Sequence, residues 1–237
     1  KYRNKKDEFG TYSQVSTYFI RMNQKRDGQD TPLKSKKLRE AIALSVDKKN
    51  LANVILNDGS KEADFLVPKG LATGPDGKDF QETFKNGLKP DAKKAAASWE
   101  EAKKELGKDQ VTIEFLNYDT GNAKKVGEYI KDQIEKNLKG VTVNIKLQPF
   151  KQKLKLESEQ QYDISYGGWN PDYADPMTFL DMFESKHSHN QMSFSDPKYD
   201  EMVKKAGTEL MSDAKKRWEE LGKAEKTLLE EDVAIVP

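Results

Sequence analysis

The feature that most constrains this chain is a strand, helix and strand pattern that runs through its middle. Residues 111–116 and 141–147 alternate apolar and polar side chains, as half-buried strands do. Residues 121–139 between them carry apolar side chains at steps of four, which is the spacing of one helical face. These apolar positions are Val126, Ile130, Ile134 and Leu138. Because strands joined by so long a helical connection run parallel with a right-handed crossover, the pattern predicts an α/β fold.

The composition is that of a folded protein with a mixed charged surface. Charged residues make up 34% of the 237, but 41 lysines and arginines almost balance 40 aspartates and glutamates, which leaves a formal charge of +1. Because such a surface lacks the strong positive field that attracts phosphates, we expect no nucleic-acid partner. The absence of cysteine excludes disulfides, thiolate zinc sites and cysteine nucleophiles.

Further patterns complete the prediction, which is a mixed sheet with flanking helices. Strand patterns rich in β-branched and aromatic residues occupy 16–23, 163–169 and 233–236. Helical patterns cover 35–46, 91–106 and 212–231. Glycines and prolines recur throughout residues 57–90, which predicts a long wrap with little regular structure.

The predicted organisation is a single α/β ligand-binding lobe over residues 16–237. Residues 1–15 are polar and are interpreted as a linker or hinge remnant. The chain opens with neither a methionine nor an apolar signal region, so we expect it to be cut from a longer protein.

No motif for catalysis or phosphate binding is present. The sequence holds no GxGxxG, GxxxxGK[ST], HExxH or GxSxG pattern. Its two histidines, His187 and His189, alternate in a polar stretch and are interpreted as surface residues rather than metal ligands. Asp172, Asp175 and Asp181 are the best candidates for a catalytic carboxylate pair, but Asp175 suits a helix cap and Asp181 a short helix. We therefore expect no enzyme activity and no cofactor.

The most informative stretch is a predicted strand that ends in two glycines and continues into polar and aromatic residues. Glycine lets the backbone approach a ligand closely because no Cβ intervenes. Ligands of α/β proteins bind at the carboxyl ends of strands. The candidate binding residues at this end are Tyr166, Gly167, Gly168, Trp169, Asn170, Asp172 and Tyr173. An alternative stays open, in which the aromatic residues are core and the glycines form a bulge.

The stretch over 167–180 reads Gly-Gly-Trp-x-x-Asp-Tyr-x-Asp-Pro-x-x-Phe-Leu. It resembles a segment of the oligopeptide-binding proteins of ABC importers, the extracytoplasmic solute-binding family that also includes dipeptide and nickel binders. Other segments resemble the same family in the same order along the chain. These segments are 18–23, 38–47, 193–202 and 223–237.

The resemblance implies one lobe of a two-lobed periplasmic-binding-protein-like fold, the N-terminal lobe being absent from this sequence. Asp172 would bind the α-ammonium of a peptide, and the strand edge at 166–168 would pair with the peptide backbone. Trp169 and Asn170 would wall the first side-chain pocket. The implied partners are an oligopeptide and the permease subunits of the transporter. The implied location is extracytoplasmic, either lipid-anchored at the cell surface or periplasmic.

Several alternatives remain open at this point. The same fold could bind a signalling peptide, nickel or haem, and His187 and His189 are expected to lie away from the ligand loop. A carboxylate-based hydrolase is a further alternative. The register of the loop leaves Asp172 or Asp175 as the ammonium ligand, and no residue is assigned to the carboxyl end of the peptide. Both ends of the chain are expected to lie close together, because both would connect to the same missing lobe.

Overall fold

The computed structural model describes residues 14–237, so most of the predicted linker at 1–15 lies outside the described residues. Its strands are β1 (Thr17–Met22), β2 (Lys25–Arg26), β3 (Gln29–Asp30), β4 (Val111–Tyr118), β5 (Val141–Gln148), β6 (Ile164–Trp169) and β7 (Ile235–Val236). Its α-helices are α1 (Lys36–Ser45), α2 (Lys48–Asn50), α3 (Phe80–Phe84), α4 (Ala92–Leu106), α5 (Gly121–Asn137), α6 (Phe150–Ser158), α7 (Met177–Leu180), α8 (Pro197–Gly207) and α9 (Ala214–Lys226). Short 3₁₀ turns cover Pro32–Lys34 and Asp181–Phe183, and π-helical turns cover Leu51–Leu56 and Thr227–Glu231.

Local signals explain where the longer helices start and stop. The Ser35 hydroxyl accepts a hydrogen bond from Leu38 N at 3.2 Å and caps α1. The Asp91 carboxylate accepts one from Lys94 N at 3.0 Å and caps α4. At the other end of α4, Gly107 adopts a left-handed conformation with φ +61°, which a side chain would disfavour. These boundaries agree with the helices predicted from the sequence.

A five-stranded mixed sheet with the order β5-β4-β6-β1-β7 forms the centre of the lobe. β4 runs parallel to β5 along its whole length, which confirms the predicted parallel pair. β6 is also parallel to β4, whereas β1 is antiparallel to both β6 and β7. The prediction of a mixed α/β sheet with flanking helices is therefore confirmed.

Each face of the sheet supports its own hydrophobic cluster. The first core joins α1, α4 and α5 to sheet residues such as Ile20 and Phe115. The second core joins α7, α8, α9 and the wrap to sheet residues such as Phe19 and Ile235. Because side chains alternate along a strand, neighbouring residues of β1 enter opposite cores. Two-sided burial explains why a chain with 34% charged residues still builds a stable sheet.

The wrap over residues 57–90 is mostly irregular, as predicted, with α3 as its one α-helix among the described residues. Glu225 of α9 fastens it to the second core. This fully buried carboxylate accepts hydrogen bonds from Leu66 N at 3.3 Å and Val67 N at 2.8 Å. It also accepts from the side-chain amides of Gln81 at 3.0 Å and Asn86 at 3.1 Å. Four donors from one loop therefore converge on a single acceptor group.

The chain enters and leaves the sheet at the same end. β7 is antiparallel to β1, with Ile20 opposite Val236, so β7 ends on the side where β1 begins. Trp169, the last residue of β6, lies opposite Thr17 and is at this end as well. The expectation that the two chain termini are close concerns Lys1, which lies outside the described residues.

Candidate functional site

The sheet opens at the carboxyl end of β6. Along one edge β6 pairs with β1 over its whole length, from Met22–Ile164 to Thr17–Trp169. Along its other edge it pairs with β4 only at Ile164 and Ser165. Within residues 14–237, the outer edge at 166–168 therefore has no strand partner. Such an edge can accept an extended segment through backbone hydrogen bonds.

A cavity of about 280 Å³ lies at the carboxyl end of β6. Its walls come from the end of β6, the loop that follows it, α7 and the segment after α7. The lining residues are Trp169, Asp172, Tyr173, Thr178, Asp181, Met182, His187, Ser188 and His189. The cavity is therefore polar, and it holds two carboxylates and two imidazoles beside aromatic rings.

Asp172 presents an unpaired carboxylate at this cavity. Its backbone N donates to the buried Thr178 hydroxyl at 3.0 Å, which holds the loop in place. Its side chain is exposed and has no hydrogen bond or ion pair with any residue in the described range. Because a carboxylate accepts strong, directional bonds from a cation, Asp172 is suited to bind an ammonium group.

Asp175, the other candidate for that role, is already occupied. Both of its oxygens bind the Arg217 guanidinium, at 2.7 and 2.9 Å. One of them also accepts a hydrogen bond from Met177 N at 2.9 Å, as the predicted cap at the start of α7 would. Geometry therefore leaves Asp172, rather than Asp175, available to a ligand.

The two histidines line the same cavity as Asp172, so the expectation that they lie away from the ligand loop is wrong. The His189 ring lies 5.0 Å from the Trp169 ring, and His187 Nδ1 accepts a hydrogen bond from His189 N at 3.2 Å. Burial lowers the pKa of His189 and raises the pKa of the half-buried Asp181. The segment after α7 folds back over the end of β6, a long-range contact that residue spacing does not reveal.

The remaining predicted residues do not line the cavity. Asn170 is exposed, and Tyr166 is half-buried and stacks on the Tyr18 ring at 5.4 Å. The Tyr18 ring also covers Gly168, where a Cβ would come within 3.0 Å of it. The close approach at Gly168 is therefore made by a side chain of the protein itself.

The sequence patterns missed a buried charged group beneath Gly167, because they missed α6. Lys153 and Glu157 of this helix are 0% and 3% exposed, whereas its apolar residues Phe150 and Leu154 are 61% and 42% exposed. The usual rule that apolar side chains turn inward is thus inverted in α6. The only sequence signal for this pair is the spacing of four between an oppositely charged lysine and glutamate.

The described part of the chain contains neither a cluster of metal ligands nor a membrane-spanning helix. In residues 14–237 no group of three or more histidines, aspartates and glutamates could hold a metal ion. No helix in that range is both long and apolar enough to span a membrane.

Comparison with known proteins identifies the family. Residues 1–191 match the model for bacterial extracellular solute-binding proteins, family 5 Middle. The chain belongs to this family. It is a family of solute-binding proteins rather than of enzymes. The resemblance deduced from the sequence segments is thereby confirmed.

Curated relatives and solved structures agree with this assignment. The chain is 31% identical to a dipeptide-binding protein of Lactococcus lactis over 86% of this chain and 38% of the relative. It is 30% identical to the dipeptide-binding protein DppE of Bacillus subtilis over 98% of this chain and 41% of the relative. The structure of an oligopeptide ABC transporter substrate-binding domain from Bacillus anthracis matches 100% of this chain and 46% of that chain, with TM-score 0.98 and 87% identity. Listeria monocytogenes OppA bound to peptide matches 94% of this chain and 42% of that one, with TM-score 0.89 and 44% identity.

The chain spans about two fifths of the length of these curated relatives. It therefore corresponds to one part of a family member, and the fold comparison covers that part alone.

Proposed function

We propose that this chain is one lobe of the solute-binding component of a peptide ABC importer, and that it binds the amino end of an extended oligopeptide. The unpaired Asp172 carboxylate in the cavity at the carboxyl end of β6 is the observation that carries the proposal. Asp172 would hold the peptide ammonium, and the edge at 166–168 would pair with the peptide backbone. Both contacts involve main-chain groups, so they would bind peptides without selecting their side chains.

Trp169 and Tyr173 would form the apolar walls beside the bound amino terminus. Trp169 is half-buried and packs partly against the second core, while Tyr173 is 49% exposed. An aromatic wall would shield the charge pair from water and so strengthen it. Asn170 would contact the peptide only at the rim, because it is exposed outside the cavity.

The whole protein would close a second, N-terminal lobe over the peptide and deliver it to permease subunits. The chain enters and leaves the sheet at the end that holds the site. This arrangement supports the proposal, because a partner lobe joined there would face the ligand. The extracellular family description supports a location outside the cytoplasmic membrane, either lipid-anchored or periplasmic. Neither a cofactor nor turnover is part of the proposed function.

The test is calorimetry on the full-length protein that contains this lobe, with tetra-alanine as the probe. We expect Asp172→Asn to weaken binding by roughly 30-fold or more, because it leaves a buried ammonium without its counter-charge. N-acetylated tetra-alanine should bind the unaltered protein about as weakly. The matched control is Asp132→Asn, which removes an exposed carboxylate from α5 and should leave affinity unchanged. Equal affinity of Asp172→Asn and the unaltered protein would refute the ammonium assignment.

A further inference from the structure

Two buried cations share one carboxylate beneath β6. Lys153 is 0% exposed and its Nζ lies 2.7 Å from Glu157 Oε1. Arg21 of β1 is 6% exposed, and its NH1 lies 3.9 Å from the same oxygen. The Ser165 hydroxyl donates to that oxygen as well. The cluster of Arg21, Lys153 and Glu157 therefore carries one net positive charge inside the protein.

Glu157 does not satisfy both cations. The Arg21 contact is too long for a hydrogen bond, and Arg21 Nε is buried without a partner among the described residues. A buried donor that lacks an acceptor destabilises the folded state, and more so when it is charged. Burial also lowers the pKa of Lys153 despite the neighbouring Glu157. A second anion at this place would give Arg21 Nε an acceptor and Lys153 a further counter-charge.

The Cα of Gly167 packs closely against these groups. A Cβ on Gly167 would find Lys153 Nζ at 3.1 Å, Tyr118 Oη at 3.5 Å and Arg21 NH1 at 3.8 Å as its nearest neighbours. All three are polar groups with hydrogens to donate. The bare Cα of Gly167 thus faces a convergence of donors rather than a packed apolar surface.

The cluster lies beside the open strand edge. Ser165 and Gly167 lie on the same face of the sheet as the Arg21 side chain, because successive residues of paired strands alternate between the two faces. Gly168 is exposed and Tyr118 is half-buried, so the cluster lies just beneath the surface at the place where β4 and β6 separate. In a peptide added to this edge, side chains project perpendicular to the sheet, whereas the terminal carboxylate continues along the strand.

We propose that Arg21 and Lys153, beneath Gly167, form a subsite that receives an acidic side chain of the bound peptide. The inference rests on the proposed peptide-binding function and adds a preference to it. Asp172 would bind the amino end, and the Arg21–Lys153 subsite would bind an aspartate or glutamate at an interior position. Peptides with both features would bind most tightly.

The test is calorimetry on the full-length protein with tetra-alanine derivatives that carry glutamate or glutamine at each interior position in turn. At one position the glutamate peptide should bind roughly 10–100-fold more tightly than its glutamine counterpart, as expected for hydrogen bonds to charged groups. Arg21→Gln should reduce this ratio to about threefold or less. Lys155→Gln removes an exposed charge from the same helix and should preserve it.

The glutamine peptide serves as the folding control, since its affinity should be unchanged in both Arg21→Gln and Lys155→Gln. Equal binding of glutamate and glutamine peptides to the unaltered protein at every position would overturn the proposal. The proposal would also be overturned if Lys155→Gln reduced the ratio of glutamate-peptide to glutamine-peptide affinity as much as Arg21→Gln does. That result would indicate a general electrostatic attraction rather than a subsite. A preference that disappears when the peptide carboxyl end is amidated would assign the cluster to that end instead.

The proposed function and the subsite can fail separately. If glutamine peptides bind and Asp172→Asn weakens their binding, the proposed function stands whatever the ratio of glutamate-peptide to glutamine-peptide affinity is. Failure of every peptide to bind would overturn both proposals.

Discussion

Two buried charged centres in this lobe are built in opposite ways. Glu225 in the second core is surrounded by neutral donors, four of which bind it, and no cation pairs with it in the described chain. The cluster of Arg21, Lys153 and Glu157 has an excess of cations and a donor without an acceptor. A saturated centre holds structure together, whereas an unsaturated one beside an open edge is available to a ligand. The comparison therefore separates a structural site from a candidate binding site.

The largest expected effect comes from removing the saturated centre. Glu225→Ala would leave four buried donors of the wrap without an acceptor, and we expect it to lower the free energy of unfolding by about 3–5 kcal/mol. Urea denaturation measures this loss. The matched control is Glu230→Ala, which removes a half-exposed carboxylate that accepts one bond, from Gly87 N at 2.9 Å. Similar losses in the two variants would contradict the special role of Glu225.

The pH dependence of stability sharpens the same contrast. Burial raises the pKa of Glu225 from 4.5 to about 7. Between these values the folded state binds a proton that the unfolded state has lost, so stability is highest near pH 4.5 and falls as pH rises toward 7. The full change is on the order of 3 kcal/mol.

Urea denaturation from pH 4.5 to 8 tests this, with Glu225→Gln as the comparison. The unaltered protein should lose stability over this range more steeply than Glu225→Gln does. Burial also raises the pKa of Asp232 to about 7, and this residue adds a slope of the same sign to both proteins. Parallel pH profiles for the two proteins would exclude Glu225 as the titrating group.

The unsaturated centre should tolerate the loss of a cation. Lys153→Met keeps an apolar stem of similar length and leaves Glu157 with Arg21 and Ser165 as partners. We expect a loss of only about 1 kcal/mol of unfolding free energy, because Arg21 remains beside Glu157 and no buried charge is left without a counter-charge. A loss as large as that of Glu225→Ala would show that the cluster is a structural site after all.

The smallest effect concerns the exposed charges of the cavity. Acidification that protonates His189 adds a positive charge near Asp172, and it should weaken ammonium binding by about threefold between pH 7.5 and 5.5. Calorimetry of tetra-alanine binding at both values measures it. His189→Gln should reduce this pH dependence, although His187 and Asp181 also face the cavity. An unchanged profile in His189→Gln would exclude His189 as the source.

The parts of the fold that follow from local periodicity were predicted well. β4, α5 and β5 have the alternations of their own backbone geometry, and α4 has a cap at each end. α6 was missed because its buried face is charged, so no apolar stripe identifies it. The hairpin of β2 and β3 was missed because two-residue strands carry no periodicity.

The candidate site also has features that the sequence predicts and features that only the tertiary structure reveals. The residues after β6 are contiguous in sequence, so glycines, aromatics and Asp172 could be selected as a group, and their role in binding stays a prediction. Two other features of the site depend on contacts between distant segments. His187 and His189 line the same cavity as Asp172, and Asp175 is paired with Arg217.

The sequence by itself determined the strands and helices that have an apolar periodicity or clear caps, because these signals act within a few residues. Tertiary structure alone decided the strand order, the separation of β4 from β6, and the meeting of Arg21 with Lys153 beneath Gly167. The physical reason is that local backbone preferences are set by adjacent residues. Burial of a charge is decided by which distant groups surround it after the chain has folded.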